Sequence, residues 1–374
     1  MALLWLVVVG GIIIGLQGIW FGRPALRRLK YTREFSKLRC YAGDELEMVE
    51  TIANEKRVTV PWLRLEAMMP GSFIFRSGSG MDISRGEIYQ NHKSIFTLKP
   101  YTRITRKHPF VCRERGVYTL NTVTMTGGDL FGVWRNTQPI PVHLSMIVYP
   151  SLVAAEELPA IYQVWQGEVE VSRWIVEDPF LILGVRPYGA GDPMNRIHWK
   201  ASARTGELQV YKQGWTADPQ SWIIVNIQES ADMWSVVTRP EPIERALSYA
   251  ATAAVDAIGR GLPAGFAHNG YRVNGGRDPL RIEPDYGSPH LELLLEAMAE
   301  TELKCMVPME QFLNEEVKRN EEAQQARSYL LITSYVSSAM EFEIARLHEQ
   351  GHRVTILPVE QEQTGARNNK AVSA

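Results

Sequence analysis

Two stretches carry residue types that could do chemistry. Residues 348–352 read HEQGH, the HExxH pattern of zinc peptidases. That chemistry needs both histidines on one face of a helix, with the glutamate polarising a metal-bound water. Gly351 stands where the helix should stop, and RVTILPV follows at once as a strand, so His352 is expected outside the helix and cannot share a face with His348. The remaining histidines (His92, His108, His143, His198, His268, His290) are scattered, and the chain has no Ser-His-Asp order and no GxSxG elbow. A hydrolase using His348 and Glu349 is therefore not expected.

The second stretch, RPYGAGDPMNRIHWKASAR at 186–204, packs four cations (Arg186, Arg196, Lys200, Arg204), Asp192, His198, Trp199 and two glycines into one loop. One reading is architectural. Gly189 and Gly191 turn the chain, Asp192 caps a short helix, Arg196 or Arg204 pairs with that acid or with carbonyls, and Trp199 is a buried anchor between two domains. The other reading makes the cations a binding surface for an acidic partner. The architectural reading is preferred, because capping, turn and anchor account for Gly, Asp and Trp without a ligand.

Stepping outward, 374 residues with 45% hydrophobic content can bury a sizeable core. Forty basic against forty-two acidic residues leave a net charge of -2, so nucleic acid is not an expected partner. Cys40, Cys112 and Cys305 are odd in number and lack CxxC spacing, which argues against a disulfide framework or a zinc site and for a reducing compartment. Residues 2–22, ALLWLVVVGGIIIGLQGIWFG, carry no charge and are long enough to cross a bilayer. With no basic region before them and no small-residue cleavage site after, they read as a retained anchor. Arg23, Arg27, Arg28, Lys30 and Arg33 follow, which predicts a single-pass protein of the cell membrane with its bulk in the cytoplasm.

The elements that must position these residues fall into segments. Residues 23–150 read as an antiparallel β-sandwich with one core, in LEMVETIAN, WLRLEAMM, SIFTLKPY, GVYTLNTVTMT and VHLSMIVYP. Gly127, Gly128 and Gly132 there permit tight backbone geometry. Residues 151–217 read as a connector carrying the 186–204 loop. Residues 218–360 alternate short apolar runs with helical periods, including a helix capped by Ser288 with Pro289 first inside it. This predicts an α/β doubly wound parallel sheet. Residues 361–374 read as a disordered tail.

The pattern Tyr188-x-x-Gly191-Asp192, then Arg196-Ile197-x-Trp199-x-x-x-Ala203-Arg204, resembles the signature of the bacterial family called domain of unknown function 58 (DUF 58). RERGVYTL, GGDLFGVW and IVYPSLV extend that resemblance. It implies a C-terminal von Willebrand factor A-like domain of Rossmann type. It also implies association with a MoxR-type AAA+ ATPase, sometimes with transglutaminase-like or further A-domain proteins. In A domains a D-x-S-x-S loop, a Thr and an Asp hold Mg²⁺ for a partner's carboxylate to complete. Here NIQES puts Asn226 and Gln228 at the first Asp and Ser positions and Ser230 at the last, and ITSYVSS supplies Thr333 and Ser334 without an Asp. Two carboxylates are missing, so no metal or other cofactor is expected. The expectation is a non-enzymatic membrane-anchored interaction protein, an adaptor working with the ATPase in assembling or maturing another complex. A metal-dependent adhesion-type A-domain receptor using Ser230 and Thr333 is the alternative.

Overall fold

The structure is a computed structural model that describes residues 2–22, 25–76, 81–86, 88–172, 177–189, 192–215, 220–231, 236–273, 275–276, 278–321 and 327–359. The expected tail, Arg23 and Gly191 lie outside the described residues. The chain forms two units, Met1–Ser151 and Leu152–Ala374.

The first unit opens with helix α1 (Ala2–Gln17), which runs into a π-helical turn, Gly18–Gly22. Its residues from Leu4 to Gly22 are long and apolar enough to cross a membrane, and most of their side chains are exposed. The strands that follow are β1 (Leu29–Phe35), β2 (Arg39–Tyr41), β3 (Glu45–Asn54), β4 (Val60–Pro70), β5 (Phe73–Phe75), β6 (Met81–Arg85), β7 (Tyr89–Leu98), β8 (Arg103–Cys112), β9 (Gly116–Gly128) and β10 (Arg135–Tyr149). They pair as β1-β3-β8-β5 and β2-β10-β9-β4-β7-β6, antiparallel except where β10 meets β2. Strand periodicity explains the burial: in β3 the alternate residues Leu46, Met48, Glu50 and Ile52 turn inward, and in β7 Gln90, His92, Ser94, Phe96 and Leu98 do so.

The expectation of one core needs correction, because the apolar interior is divided. One cluster gathers Phe35, Met48, Met69, Phe73, Phe75 and Phe110, the other Ile52, Leu63, Leu65, Phe96, Leu98 and Val123. Along β1, Arg33 falls between Phe35 and Tyr31; along β3, Glu50 falls between Met48 and Ile52. These polar residues, with His92 and His108, are buried between the clusters. Cys40 and Cys112, far apart in the chain, are free cysteines buried together in the first of these clusters.

The second unit holds α2 (Ala160–Ser172), β11 (Glu177–Pro187), α3 (Trp199–Thr205), β12 (Gln209–Trp215), β13 (Gln220–Val225), α4 (Pro240–Gly259), β14 (Ala264–His268), β15 (Gly270–Arg272), β16 (Leu280–Asp285), α5 (Ser288–Glu300), β17 (Thr301–Cys305), α6 (Met309–Asn320), β18 (Arg327–Thr333), α7 (Ser338–Glu349) and β19 (Arg353–Pro358). The main sheet runs β16-β14-β13-β18-β19. Four of these strands are parallel, and the edge strand β16 is antiparallel to β14, which corrects the all-parallel expectation. α6 and α7 cover one face through Trp222, Ile224, Tyr329 and Leu331. α4 lies against β13, β14 and β18, and α5 packs on α4. α4 is an alanine-rich helix opened by Pro240, with Ile243, Ala246, Leu247, Ala250, Ala251, Ala254 and Ala257 buried at helical spacing.

Two further corrections concern local chemistry. The expected connector belongs to this unit: Tyr162, Trp165 and Val169 of α2 are buried, and Tyr162 and Gln166 donate to Asp256 of α4. The N-cap of α5 is Gly287 at φ +87°, and Ser288 is its first helical residue, because only glycine enters that backbone region cheaply.

Candidate functional site

The Arg186–Arg204 loop is an insertion between the antiparallel partners β11 and β12. Its turn is locked by a fork: Arg186 Nη1 and Nη2 donate to the two oxygens of Asp192 at 2.7 and 2.6 Å. The Gly189 amide donates to Asp192 Oδ2 at 2.8 Å, and the Asp192 amide returns to the Gly189 carbonyl. The Arg186 guanidinium, then that amide, hold the Asp192 carboxyl at about 2, so it is ionised throughout the neutral range. Of the two cations expected to pair with that acid or with carbonyls, Arg196 adds a smaller electrostatic pull on the same carboxyl, and the fork itself goes to a third cation. Arg186 is the fork partner, because it sits at the end of β11, directly across the turn. Arg196 is half-buried and closes the short 3₁₀ turn Met194–Arg196.

Asp192 does not cap α3 either. His198 does: its Nδ1 accepts from the Ala201 amide at 3.1 Å while its ring lies 4.5 Å from that of Tyr211. Ser202 is buried, giving its hydroxyl to the His198 carbonyl and accepting from the Gln209 amide at 2.8 Å. Ile197 is buried and bridges Val210. Tyr188 is half-buried, its amide bonded to the Leu208 carbonyl. Gly206, in the left-handed region at φ +75°, ends α3.

One face of α3 is therefore fixed to β12, and the opposite face is open. Trp199 is 67% exposed, which corrects the expectation of a buried anchor. With Ser202 and the His198 cap turned inward on a seven-residue helix, Trp199 and Ala203, four positions apart, can only point outward. Lys200 and Arg204, also four apart, are exposed with no ion-pair partner among the described residues. With Val185, His198, Ala201 and Thr205 they line a shallow cavity of about 390 Å³.

The second candidate lies where the order of the main sheet reverses, at the ends of β13 and β18. Asn226 Nδ2 donates to Thr333 Oγ1 at 3.0 Å, and Asn226 Oδ1 accepts from the Gln228 amide and from Asn269 Nδ2. Gln228 bonds the Ser230 carbonyl and accepts from the Met309 amide. Thr333 donates to the Tyr335 carbonyl at 2.6 Å. Asn226, Gln228, Asn269 and Thr333 are all buried, whereas Ser230 and Ser334 are half-buried, Ser230 entering the network through its carbonyl. Glu229 turns away to brace the chain just before α4, accepting from the Thr238 amide and hydroxyl and the Arg239 amide. The oxygens that a divalent cation would need are neutral and already engaged, so this donor set does not fit Mg²⁺. Among the described residues no group of three or more His, Cys, Asp or Glu is placed to hold a metal.

Asn269 is the hub that sequence reading missed. It links β13, through the Ile227 amide, to the turn after β17, through the Val307 carbonyl. Its only sequence signal is the Asn-Gly pair ending the β14 run. At HEQGH, α7 ends at Glu349, Gly351 sits at φ +84°, and His352 is buried against the ring of Tyr329 with Nδ1 accepting from the Arg327 amide.

No curated protein matches the chain. Solved structures similar to it include the CARDB domain of a Pyrococcus furiosus protein, 13% identical, with a TM-score of 0.20 over 32% of this chain and 93% of that one. A non-cellulosomal cohesin from the hyperthermophilic archaeon Archaeoglobus fulgidus is 14% identical, with a TM-score of 0.23 over 34% and 94%. The PapD-like domain 7 of human CEP192 is 14% identical, with a TM-score of 0.20 over 31% and 84%. Residues 184–364, which hold the loop signature and the five-stranded sheet, match the model of the family described as protein of unknown function DUF58.

Proposed function

We infer that this chain is a non-enzymatic, membrane-anchored interaction protein whose recognition element is the open face of α3. The observation that carries the reading is Trp199, an indole held out in solvent on a short helix that also exposes Lys200 and Arg204 and whose other face is fixed. Trp with neighbouring Arg is the composition of a binding hot spot, and the two cations suit an acidic partner.

The apolar Leu4–Gly22 segment supports anchoring, with Trp5 and Trp20 exposed near its two ends in the manner of interfacial aromatic belts. Arg27, Arg28 and Lys30 just beyond it support a cytoplasmic orientation. The order β16-β14-β13-β18-β19, with an antiparallel edge strand, supports a von Willebrand factor A-like reading of the α/β unit. The closed Asn226–Asn269–Thr333 network supports partner binding through loops without a metal. From the DUF58 resemblance we propose a MoxR-type AAA+ ATPase as the partner, with other A-domain or transglutaminase-like proteins in the same assembly.

The test is in-cell crosslinking of the tagged full-length chain followed by mass spectrometry, comparing the unaltered chain with Lys200→Glu/Arg204→Glu. The expected result is an AAA+ ATPase crosslinked by the unaltered chain and lost from the charge-reversed one. Equal yields would remove α3 as the contact, and a chain that captures no ATPase would remove the adaptor reading.

A further inference from the structure

The tip of the β9–β10 hairpin, Asp129 to Trp134, is built against turn chemistry. Such tips are ordinarily polar and glycine-rich. Here Leu130, Phe131 and Val133 are 60%, 67% and 62% exposed, an apolar cluster that a water-facing loop has no reason to carry.

The same tip grips the end of the apolar helix. Gln17 Nε2 donates to Asp129 Oδ2 at 2.5 Å, and the Leu130 amide donates to Gln17 Oε1 at 3.2 Å, so the one polar side chain of the span has both its amide atoms matched. The second oxygen of the buried Asp129 accepts from the Trp134 amide, and the Asp129 carbonyl accepts from Trp62 Nε1. Close approach is secured by glycines. A Cβ on Gly18 would stand 2.3 Å from Trp134 Nε1, one on Gly22 2.6 Å from Trp134 Cβ, and one on Gly128 2.3 Å from the Trp134 carbonyl.

The clamp fixes the depth of the tip. The Leu4–Gly22 segment has 19 residues, about 28 Å of helix at 1.5 Å per residue, against a hydrocarbon core of about 30 Å. Gln17 lies about 8 Å from the end of that length, so its hydrogen-bond partners sit in the upper acyl region, just below the headgroups. Trp20, 66% exposed, marks that level on the helix, and the exposed Arg27, Arg28 and Arg135 flank it with charge suited to anionic headgroups.

We propose that this hairpin tip is a membrane-interface wedge, with Leu130, Phe131 and Val133 seated in the headgroup and upper acyl region of the bilayer that the Leu4–Gly22 helix crosses. The occupant of the exposed apolar tip is lipid, because the tip is continuous with the span and held at interfacial depth by side chains of the span itself. The proposal rests on the anchor reading above. It adds that the β-sandwich stands on the membrane at two points, so that the helix cannot swivel freely beneath it.

The test uses the full-length chain in vesicles of phosphatidylcholine and phosphatidylglycerol, with an environment-sensitive fluorophore on a cysteine introduced at Phe131, at Ile12 or at Leu38. Leu38 is exposed and lies beside Ile147, at the far end of β10, and the native cysteines are buried. The expected result is quenching of the Ile12 probe by lipid carrying a nitroxide deep in the acyl chain. The Phe131 probe is expected to be quenched by a nitroxide high on the chain with a blue shift, and the Leu38 probe by neither. If the Ile12 probe is quenched while the Phe131 probe behaves like that at Leu38, the wedge is wrong and the anchor stands. A blue-shifted Phe131 probe untouched by lipid nitroxide means that protein covers the tip, which also overturns the wedge. An Ile12 probe out of reach of every nitroxide removes the anchor and the wedge with it.

Discussion

Arg33 of β1 and Glu50 of β3 stand directly opposite each other in the antiparallel ladder and form a 2.9 Å ion pair, with side chains 2% and 0% exposed. The Tyr31 hydroxyl donates to the same Glu50 oxygen, and His108 Nε2 lies 3.6 Å from the other. Burial alone would push the Glu50 carboxyl up, but His108, Arg33 and Tyr31 together pull it down to about 2. His92, buried beside them with its ring edge-on to Phe75, is driven down to about 4 by desolvation and then by Arg33.

These two groups predict a two-step loss of stability in acid. His92 excludes in the folded state a proton that the unfolded chain accepts, so its contribution is complete above about 6.5 and is lost as pH falls to about 4. The Glu50 contribution is complete above about 4.5 and is lost as pH falls towards 2. Both ring nitrogens of His92 lack a hydrogen-bond partner among the described residues. His92→Leu should therefore remove the upper step and leave the sandwich as stable or more so at neutral pH. Arg33→Met, which strands the buried carboxylate, should cost about 3–5 kcal/mol. Hydrogen exchange of the β1, β3 and β8 amides in the full chain, followed against pH, reads both outcomes.

At the signature loop the contrast is between neighbours. Ile197 is buried against Val210, so Ile197→Ala should destabilise the β11–β12 insertion by about 2–5 kcal/mol. Trp199→Ala removes a larger side chain but an exposed one, and should change stability by no more than about 0.5 kcal/mol while weakening partner capture. A thermal melt of each variant beside its crosslinking yield separates the two roles. A strongly destabilised Trp199→Ala would restore the architectural reading of the indole.

This loop also marks where sequence reading succeeds and where it stops. The Tyr188–Arg204 spacing is legible because it is written in consecutive residues, and the same holds for the alternations of β3, β4 and β9 and for the stop at Gly351. What failed is what depends on a partner distant in the chain or on which side of a short helix is covered. Asp192 is a plausible cap by type, but His198 stands at the position where a ring nitrogen meets the Ala201 amide. Trp199 looks buried by composition, yet its helix has only one face against β12. β8 was missed because its inward positions include His108 among charged neighbours, and the polar layer that includes it divides a core that hydrophobic periodicity reads as one. The antiparallel edge β16 interleaves Arg281 and Glu283 with its apolar residues, and nothing local sets its direction.

The amide network at the β13 and β18 ends predicts the response to restoring an acid. Asn226 Nδ2 donates to Thr333 Oγ1 and faces the Tyr335 carbonyl. Asn226→Asp would turn an unbonded carboxylate oxygen on that carbonyl in a fully buried site. The expected cost is about 3 kcal/mol or more, from a buried charge with its donor lost. Thermal unfolding with and without Mg²⁺ checks it: neither the unaltered chain nor the variant should be stabilised by the cation. A Mg²⁺-dependent rise in the unaltered chain would instead favour the adhesion-type receptor.

The clamp on the apolar helix makes its own prediction, independent of lipid. A methyl at Gly22 would meet Trp134 Cβ at 2.6 Å, and Cβ is the atom of that side chain least able to move away. Gly22→Ala must therefore shift the backbone around Trp134, stretching the 3.0 Å bond from its amide to Asp129 and the 3.2 Å bond that the Asp129 amide donates to its carbonyl. The adjoining end of β4 loosens with it, because Trp62 Nε1 donates to the Asp129 carbonyl. Gly15→Ala, three residues before Gly18 on the same helix, meets nothing within 4 Å and should be silent. Hydrogen exchange at residues 127–135 in the full chain held in detergent should rise at least tenfold for Gly22→Ala, the equivalent of about 1.4 kcal/mol of local opening, and stay unchanged for Gly15→Ala. Equal exchange in the two variants would mean that the hairpin rests beside the helix without being held by it.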